Sequence, residues 1–225
     1  MNRTSFYLLF AVLLLAGCQT SPRFSVSGTI SHADGETLYL EHTQLTTTTI
    51  LDSCVLDGEG EFKLHAPSPE HPDFYRLRIG KRSLPLSVDS IEEIIVVSTR
   101  DSLPYTLSIQ GSEASLIMAQ LRATARTATR EELRKQAQEV IVSNPRSLAA
   151  YYAVFLKQGG EYIWNILDPA DRRMYQAVAT SFQTWMPNYE RTKVLCNQVK
   201  DVLQAERNIK NQQAMRDFID KAENS

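Results

Sequence analysis

The sequence is poor in cysteine and lacks the short motifs that mark many catalytic centres. Only three of its 225 residues are cysteines, Cys18, Cys54 and Cys196, and they form no Cys-x-x-Cys pair. Thiol–disulfide exchange commonly uses a thiolate pair at that spacing. No G-x-S-x-G, P-loop or G-x-G-x-x-G motif occurs either, so acyl transfer and phosphate binding have no support in the sequence. We therefore predict that the protein is not an enzyme, with no catalytic residues and no cofactor.

An excess of charge of either sign is also missing. Lys and Arg number 24 against 26 Asp and Glu, and the formal net charge is −2. Nucleic-acid binding needs a concentrated basic face, so nucleic acid is not expected as a partner. The histidines show no His-x-x-x-His or Cys-x-x-His spacing, and a zinc site needs three or four ligands at about 2 Å. We therefore predict no metal site and interpret these histidines as surface or turn residues: His32, His42, His65 and His71.

The only long apolar run lies near the start of the sequence, at residues 6–15. About ten residues are too few to cross a bilayer core of about 30 Å, but they match the apolar region of a secretory signal peptide. Arg3 precedes the run, and "LAGC" at residues 15–18 follows it. This order resembles the bacterial lipobox, in which a peptidase cuts before the cysteine and that cysteine is lipidated. An ordinary signal peptide with an incidental cysteine is the alternative interpretation.

The lipobox resemblance implies attachment to a membrane through lipid on Cys18. Residues 1–17 would be a lipoprotein signal peptide, and residues 18–23 would be a lipidated linker. Several acyl chains on one cysteine give stable anchoring, whereas a single chain is marginal. In proteins with a lipobox, Asp after the cysteine directs retention in the inner membrane. Gln19 stands there in this sequence, so the resemblance implies the periplasmic face of the outer membrane.

Residues 24–111 have the pattern of an antiparallel β-sandwich. Short runs rich in Val, Ile, Leu, Thr and Tyr alternate with turn residues, and no helical period interrupts them. "FSVSGTI" and "TLYLEH" flank Asp34-Gly35, which is a strong hairpin signal, and Asp57-Gly58 marks a second turn. We predict about eight short strands in this domain.

After Gly111 the pattern changes to amphipathic helices. We predict a helical domain at residues 112–188 and a single long helix over residues 189–225, so the fold class is α+β. The change of architecture predicts that the two halves fold as separate domains. The helix starts are indicated by capping residues at four places: Ser112, Thr129 with Glu132, Asn144-Pro145 and Asp168-Pro169.

The helical half concentrates aromatic residues. We interpret them as a core between helices, and a groove for a peptide or ligand is the alternative. The residues concerned are Tyr151, Tyr152, Phe155, Tyr162, Trp164, Tyr175, Phe182 and Trp185.

The last helix has an uneven apolar pattern. Its first third carries a stripe that would dock on the preceding helices, at Leu195, Val199 and Val202. Residues 206–213 are almost entirely polar, and an apolar patch then follows at Met215, Phe218 and Ile219. We predict that this helix is a connector to a further domain, and a frayed tail is the alternative.

Together these segments resemble the N-terminal part of lipid-anchored, thioredoxin-like thiol–disulfide oxidoreductases of the TlpA/ResA type. The resemblance is carried by the lipobox, by "FSVSGTISHADGETLYLEH" and "LDSCVLDGEGEFKL", and by "NPRSLAAYYAVF" and "DRRMYQAVATSFQTWMPNYERTKVL". In that family a thioredoxin-like domain follows the helical region, and this sequence does not contain one. The resemblance therefore implies a non-catalytic accessory or binding module of the cell envelope. Its partner would be a thioredoxin-like or another envelope protein.

Two other functions stay open at this point. One is an envelope enzyme whose active site is assembled only in three dimensions. The other is a redox-accessory protein that uses Cys54 and Cys196. These two cysteines lie 142 residues apart, in a predicted strand and a predicted helix. We favour two free thiols over a disulfide between them.

Lipid attachment through Cys18 can be tested directly. Radiolabelled palmitate should enter the wild-type protein in growing cells and should be absent from Cys18→Ala, because the variant has no thiol to acylate. Equal labelling of the two proteins would contradict the lipobox interpretation.

Overall fold

The structure is a computed structural model, and it describes residues 22–106 and 108–223. Cys18, the predicted signal peptide and most of the predicted linker lie outside the described residues.

The first half of the described chain consists of eight strands in two four-stranded sheets, which pack against each other in a sandwich-like arrangement. The strand order is β4-β1-β7-β8 in one sheet and β3-β2-β5-β6 in the other. The strands are β1 (Arg23–Ser31), β2 (Thr37–Thr43), β3 (Thr48–Val55), β4 (Glu61–Pro67), β5 (Asp73–Ile79), β6 (Arg82–Val88), β7 (Glu93–Thr99) and β8 (Ile109–Gln110). A short 3₁₀ helix at Leu103–Tyr105 joins β7 to β8.

The strand pairing differs from the predicted antiparallel pattern at one place. β1 pairs in parallel with β7, while its other neighbour β4 is antiparallel to it. The chain leaves the first sheet after β4, forms the β5–β6 hairpin in the other sheet, and returns as β7 in the same direction as β1. The predicted α+β class is confirmed, and the first sheet is mixed.

The two Asp-Gly turns occur where they are predicted, but neither of them makes a hairpin. Asp34-Gly35 connects β1 to β2, and Asp57-Gly58 lies between β3 and β4, so each turn carries the chain from one sheet to the other. The two turns lie side by side, because the amide of Gly35 donates to the carbonyl of Leu56 at 2.9 Å. A turn motif sets the local backbone, whereas burial of the inner faces decides which strands pair.

The core of the β half lies between the sheets. Alternate residues of each strand point inward, as in β4, where Phe62, Leu64 and Ala66 are buried. In β5 the inward residues are Leu77 and Ile79, which are almost fully buried.

The second half of the described chain consists of five α-helices and one small hairpin. The helices are α1 (Glu113–Thr127), α2 (Arg130–Ser143), α3 (Leu148–Val154), α4 (Pro169–Trp185) and α5 (Glu190–Glu223). The hairpin between α3 and α4 is formed by β9 (Lys157–Gln158) and β10 (Glu161–Tyr162).

Three of the four predicted helix starts are confirmed, and one is wrong. Ser112 and Asp168 cap α1 and α4, and Thr129 forms the predicted capping box at α2. Asn144 instead ends α2, and Ser147 caps α3 by accepting from the amide of Ala149. The amide of Ser147 donates to the carbonyl of Asn144, which closes a turn between the helices. Pro145 fits the second position of such a turn because its φ is already close to the required value.

Helix α1 lies between the two halves and packs on both. Its Ala119 belongs to the β core, while Met118 and Leu121 belong to the helical core. A buried serine cluster adds hydrogen bonds: the amide of Ser87 on β6 donates to Ser115 Oγ at 2.9 Å, and Ser112 Oγ donates to the Ser87 carbonyl at 2.8 Å. Folding of the halves as separate domains stays a prediction, and in the structure they share this helix.

The long helix α5 is docked only over its first half. Leu195 is fully buried and Val199 nearly so, and an ion pair of 2.8 Å joins Glu206 to Arg172 of α4. Further along, the side chains of the predicted apolar patch are exposed, with Phe218 at 70%. The connector role of this helix stays a prediction. In the described ranges, none of the helices combines the length and the apolar character needed to cross a membrane.

Gly28 should be essential for the parallel pairing of β1 with β7. Its φ is +138°, and an added Cβ would lie 1.9 Å from the carbonyl oxygen of Val96. We expect Gly28→Ala to lower the free energy of unfolding by roughly 2–4 kcal/mol, because the strands must separate and the backbone is strained.

Gly35→Ala is the matched control in urea denaturation. Gly35 also has a positive φ, +72°, but nothing lies within 4 Å of an added Cβ there. We expect a loss of only about 1 kcal/mol, from the backbone conformation alone. Equal losses for the two variants would contradict the role of close strand approach.

Candidate functional site

A cleft of about 460 Å³ lies where the β3-β2-β5-β6 sheet meets the helical half. Outward-facing residues of β5 and β6 form its floor, and α3, β10 and the first turns of α5 form its walls. Among the described residues, six aromatic residues border it, of which Tyr75 points into the sandwich: Phe74, Tyr75, Tyr151, Tyr152, Phe155 and Tyr162. Cavities of this size commonly hold small molecules or parts of a peptide.

The aromatic wall of the cleft is continuous with the helical core. The ring of Tyr151 lies 5.0 Å from that of Phe155 and 5.9 Å from that of Phe74, measured between centroids. Successive side chains of a strand point to opposite faces. In β5, Tyr75 and Leu77 point into the sandwich, so Phe74 points outward. Burial raises the pKa of Tyr151, and Arg191 partly offsets that rise. The Tyr151 hydroxyl is therefore protonated at neutral pH and can donate a hydrogen bond.

Arg191 brings the first turn of α5 to the cleft. It donates through Nη2 to the carbonyl of Thr43 at the end of β2, and its guanidinium carbon lies 4.9 Å from the centroid of the Phe74 ring. Its Nε has no hydrogen-bond partner among the described residues, and the same is true of Thr43 Oγ1. Both atoms are buried, so each leaves part of its hydrogen-bonding capacity unused.

A buried carboxylate supports the floor of the cleft. Glu41 on β2 is 2% exposed and accepts from Arg76 Nε at 2.5 Å and from Arg78 Nε at 2.8 Å. Burial raises the pKa of Glu41, but the hydrogen bonds from Arg78 and Arg76 outweigh it, and the net pKa is lowered. The ionised Glu41 fixes the position of Arg76, which lines the cleft.

Asp73 joins the sheet to the helical half beside the cleft. Its carboxylate contacts His42 Nε2 at 2.7 Å and accepts from the hydroxyl of Tyr189 at 2.6 Å. Burial raises the pKa of Asp73, but these contacts and the Phe74 amide lower it further than burial raises it. The pKa of Tyr189 is raised by burial and by its bond to Asp73.

Seven of the eight aromatic residues named in the sequence analysis of the helical half divide between the two predicted roles. Tyr151, Tyr152, Phe155 and Tyr162 line the cleft. Trp164, Tyr175 and Phe182 are core residues, and Trp185 is 36% exposed away from the cleft. Core packing and a groove are therefore parts of the same aromatic cluster.

The remaining predicted residues do not assemble into one centre. His42 lies at Asp73, and His71 packs edge-on against Tyr189 at 4.9 Å between ring centroids. His32 lies after β1 with a φ of +60°, and His65 lies on β4. In the part of the chain that the structure describes, no group of three or more His, Cys, Asp or Glu side chains could hold a metal ion.

Cys54 and Cys196 are both free thiols, on β3 and α5. Burial raises the pKa of each thiol, and Asp52 adds to the rise at Cys54. Protonated thiols are poor nucleophiles, so neither environment activates its sulfur.

The polar residues of the cleft carry no signal in the sequence. Thr43, Arg76 and Arg191 come from two strands and a helix that are far apart along the chain. Arg191 stands in a helix with several other cations, and Thr43 lies close to a run of four other threonines at residues 46–49. Their common location depends on how the helical half packs on the sheet.

The β half of the chain matches a known family of domains. Residues 24–115 match the family described as "Domain of unknown function (DUF4369)". No curated protein matches the chain. A solved structure that is similar to part of it is the crystal structure of a 9R-lipoxygenase from Cyanothece PCC8801, with 10% identity and a TM-score of 0.26. The match covers 56% of this chain and 25% of that one, and a TM-score this low does not show a shared fold.

The Asp73–Tyr189 hydrogen bond should stabilise the contact between the halves. We expect Tyr189→Phe to lower the free energy of unfolding by about 1–2 kcal/mol at pH 7, because Asp73 loses a donor to its charged form. The ordinary pKa of Asp73 is 3.8 and the folded value is lower, so its ionised contacts stabilise the fold above about pH 4. That stabilisation is lost as the pH falls through the folded pKa.

Urea denaturation at pH 7 and at about pH 3 checks both statements. The difference between wild type and Tyr189→Phe should shrink at the lower pH. Tyr162→Phe, which removes a hydroxyl from a half-exposed ring, should change stability little at either pH. A pH-independent loss in Tyr189→Phe would contradict the assignment to the charged form of Asp73.

Proposed function

We propose that this protein is a non-catalytic binding module of the cell envelope, held by lipid on Cys18 at the periplasmic face of the outer membrane. The observation that carries the binding role is the aromatic cleft, whose wall contains Arg191 and Thr43, each with an unpartnered buried polar atom. Unpartnered buried groups cost free energy in the folded protein. A binding partner that satisfies them would give these residues a function.

The non-catalytic character is supported by the state of the candidate reactive groups. The pKa values of Cys54 and Cys196 are raised, which disfavours the redox-accessory alternative. His42 is paired with Asp73 and stacked on Tyr75, with 4.9 Å between ring centroids. These contacts join β2, which carries His42, to β5, which carries Asp73 and Tyr75.

The proposed partner is a thioredoxin-like protein of the same compartment. The resemblance to the N-terminal part of TlpA/ResA-type proteins supports this class. The family match at residues 24–115 is consistent with an N-terminal domain of unknown function and names no partner. The exposed apolar residues near the end of α5 offer a second contact surface for the same partner: Met215, Phe218 and Ile219.

In-cell photo-crosslinking of the full-length, lipidated chain tests the binding role. A photoreactive p-benzoylphenylalanine replaces Tyr162, which is 48% exposed at the cleft. The control places the same residue at Val142, which is 67% exposed on α2 and does not line the cleft. We expect a discrete adduct from position 162 and none from position 142, because the cleft holds the partner.

Two further measurements complete this test. Mass spectrometry of the adduct should identify a thioredoxin-like protein, and Cys18→Ala should lose the adduct because it leaves the membrane surface. No adduct from position 162, or the same adducts from both positions, would contradict the proposal that the cleft is the binding site.

A further inference from the structure

Two residues that line the cleft each have a polar atom without a hydrogen-bond partner among the described residues. Arg191 Nε and Thr43 Oγ1 are buried without hydrogen-bond partners, although the two residues already contact each other through Arg191 Nη2 and the Thr43 carbonyl. Both residues line the cleft. Neither atom is accessible to solvent, so a ligand in the cleft would reach them only after the two side chains change rotamer. One Arg N–H and one hydroxyl together suit a ligand with two nearby acceptor oxygens.

The charge of the lining favours an anion. Among the described residues that line the cleft, the charged ones are Arg76 and Arg191, and no carboxylate is among them. Arg76 shares the buried Glu41 with Arg78. Arg191 is left with a carbonyl, an aromatic face and nearby phenol groups. No carboxylate lines the cleft beside Arg191, so its guanidinium suits a negatively charged group.

The rest of the lining favours an apolar group attached to that charge. Aromatic rings form most of the wall, and Val194 and Pro85 extend its apolar surface. Gln198 and Ser83 add polar groups to the lining, and such groups can pair with amides of a peptide backbone.

We infer that the cleft binds the carboxyl-terminal end of a peptide whose last side chain is aromatic or large and aliphatic. The terminal carboxylate is bound by Arg191 and Thr43, the last side chain packs against Tyr151 and Phe155, and the preceding amides reach Gln198. A phosphate has more charge and more acceptor oxygens than these two donors satisfy. This inference rests on the proposed function, because it names the ligand class for the same cleft.

Calorimetric titration with a defined peptide tests the inference on the purified full chain in detergent micelles. The probe is acetyl-Ala-Ala-Phe with a free carboxylate, and the comparison is the same peptide ending in an amide. We expect the acid to bind at least about tenfold more tightly than the amide, because a charge-assisted contact is worth about 1.4 kcal/mol or more. Acetyl-phenylalanine, which lacks the two preceding residues, should bind more weakly than the tripeptide.

Two variants test the residues, and a third is their control. Arg191→Met should weaken binding of the acid at least about tenfold. Thr43→Val should weaken it about three- to tenfold, as for loss of one hydrogen bond, without lowering the thermal midpoint, because it removes a buried hydroxyl that has no partner. Arg216→Met makes the same change as Arg191→Met on the exposed part of α5 and should leave binding unchanged.

The outcomes separate this inference from the proposed function. Equal affinity for acid and amide, or no binding of either, overturns the inference. Neither outcome changes the crosslinking result, which tests the binding role without the peptide. Affinity for acetyl-phenylalanine equal to that for the tripeptide overturns the peptide and assigns the cleft to small aromatic acids. Because Thr43→Val retains the fold, weakened binding in that variant cannot be attributed to unfolding, and unchanged binding overturns the role of the hydroxyl.

Discussion

The helical half packs on the outer face of the β3-β2-β5-β6 sheet, and most other features of the structure depend on this contact. Phe74 points out of the sandwich and is buried in the helical core instead of in its own sheet's core. The serine cluster around Ser87 and Ser115 satisfies backbone groups at the same junction. Because most buried polar groups in proteins are paired, these hydrogen bonds fix the position of α1 against β6. The positions of α3 and α5 follow from that of α1 through the shared helical core.

The cleft is a consequence of incomplete packing at this contact. Near Phe74 the helices cover the sheet, while at Arg76 the outer face carries charged residues that a close helix could not cover without a partner. Glu41, which lies within the sheet, pairs with both Arg76 and Arg78, so this part of the face keeps a net positive charge. The result is an aromatic wall, a floor that contains Arg76, and the guanidinium of Arg191, with no carboxylate among the lining residues. Such a combination is typical of sites where apolar contacts give affinity and a few polar groups give orientation.

The local features of this protein were predictable because they depend on neighbouring residues. The capping box at Thr129 and the cap at Asp168 need only the residues within one helical turn, and both are found. The strand pattern depends on alternation within each strand, and it predicted the β half. At Asn144 the prediction was wrong because two cap residues, Asn144 and Ser147, lie three positions apart, and only the turn between the helices decides which one starts α3.

By itself the sequence determined the α+β class, the change from strands to helices near Gly111, and the long last helix, because period and capping are local properties. Only the tertiary structure decided that β1 pairs in parallel with β7 and that the Asp-Gly turns pass between the sheets. It also decided which aromatic residues line a cleft and which fill the core. Thr43 and Arg191 are 148 positions apart along the chain. They are in contact because Phe74 of the sheet is buried in the helical core and so joins the two halves. Contacts of that kind arise from burial of apolar surface between distant segments, which no short stretch of sequence contains.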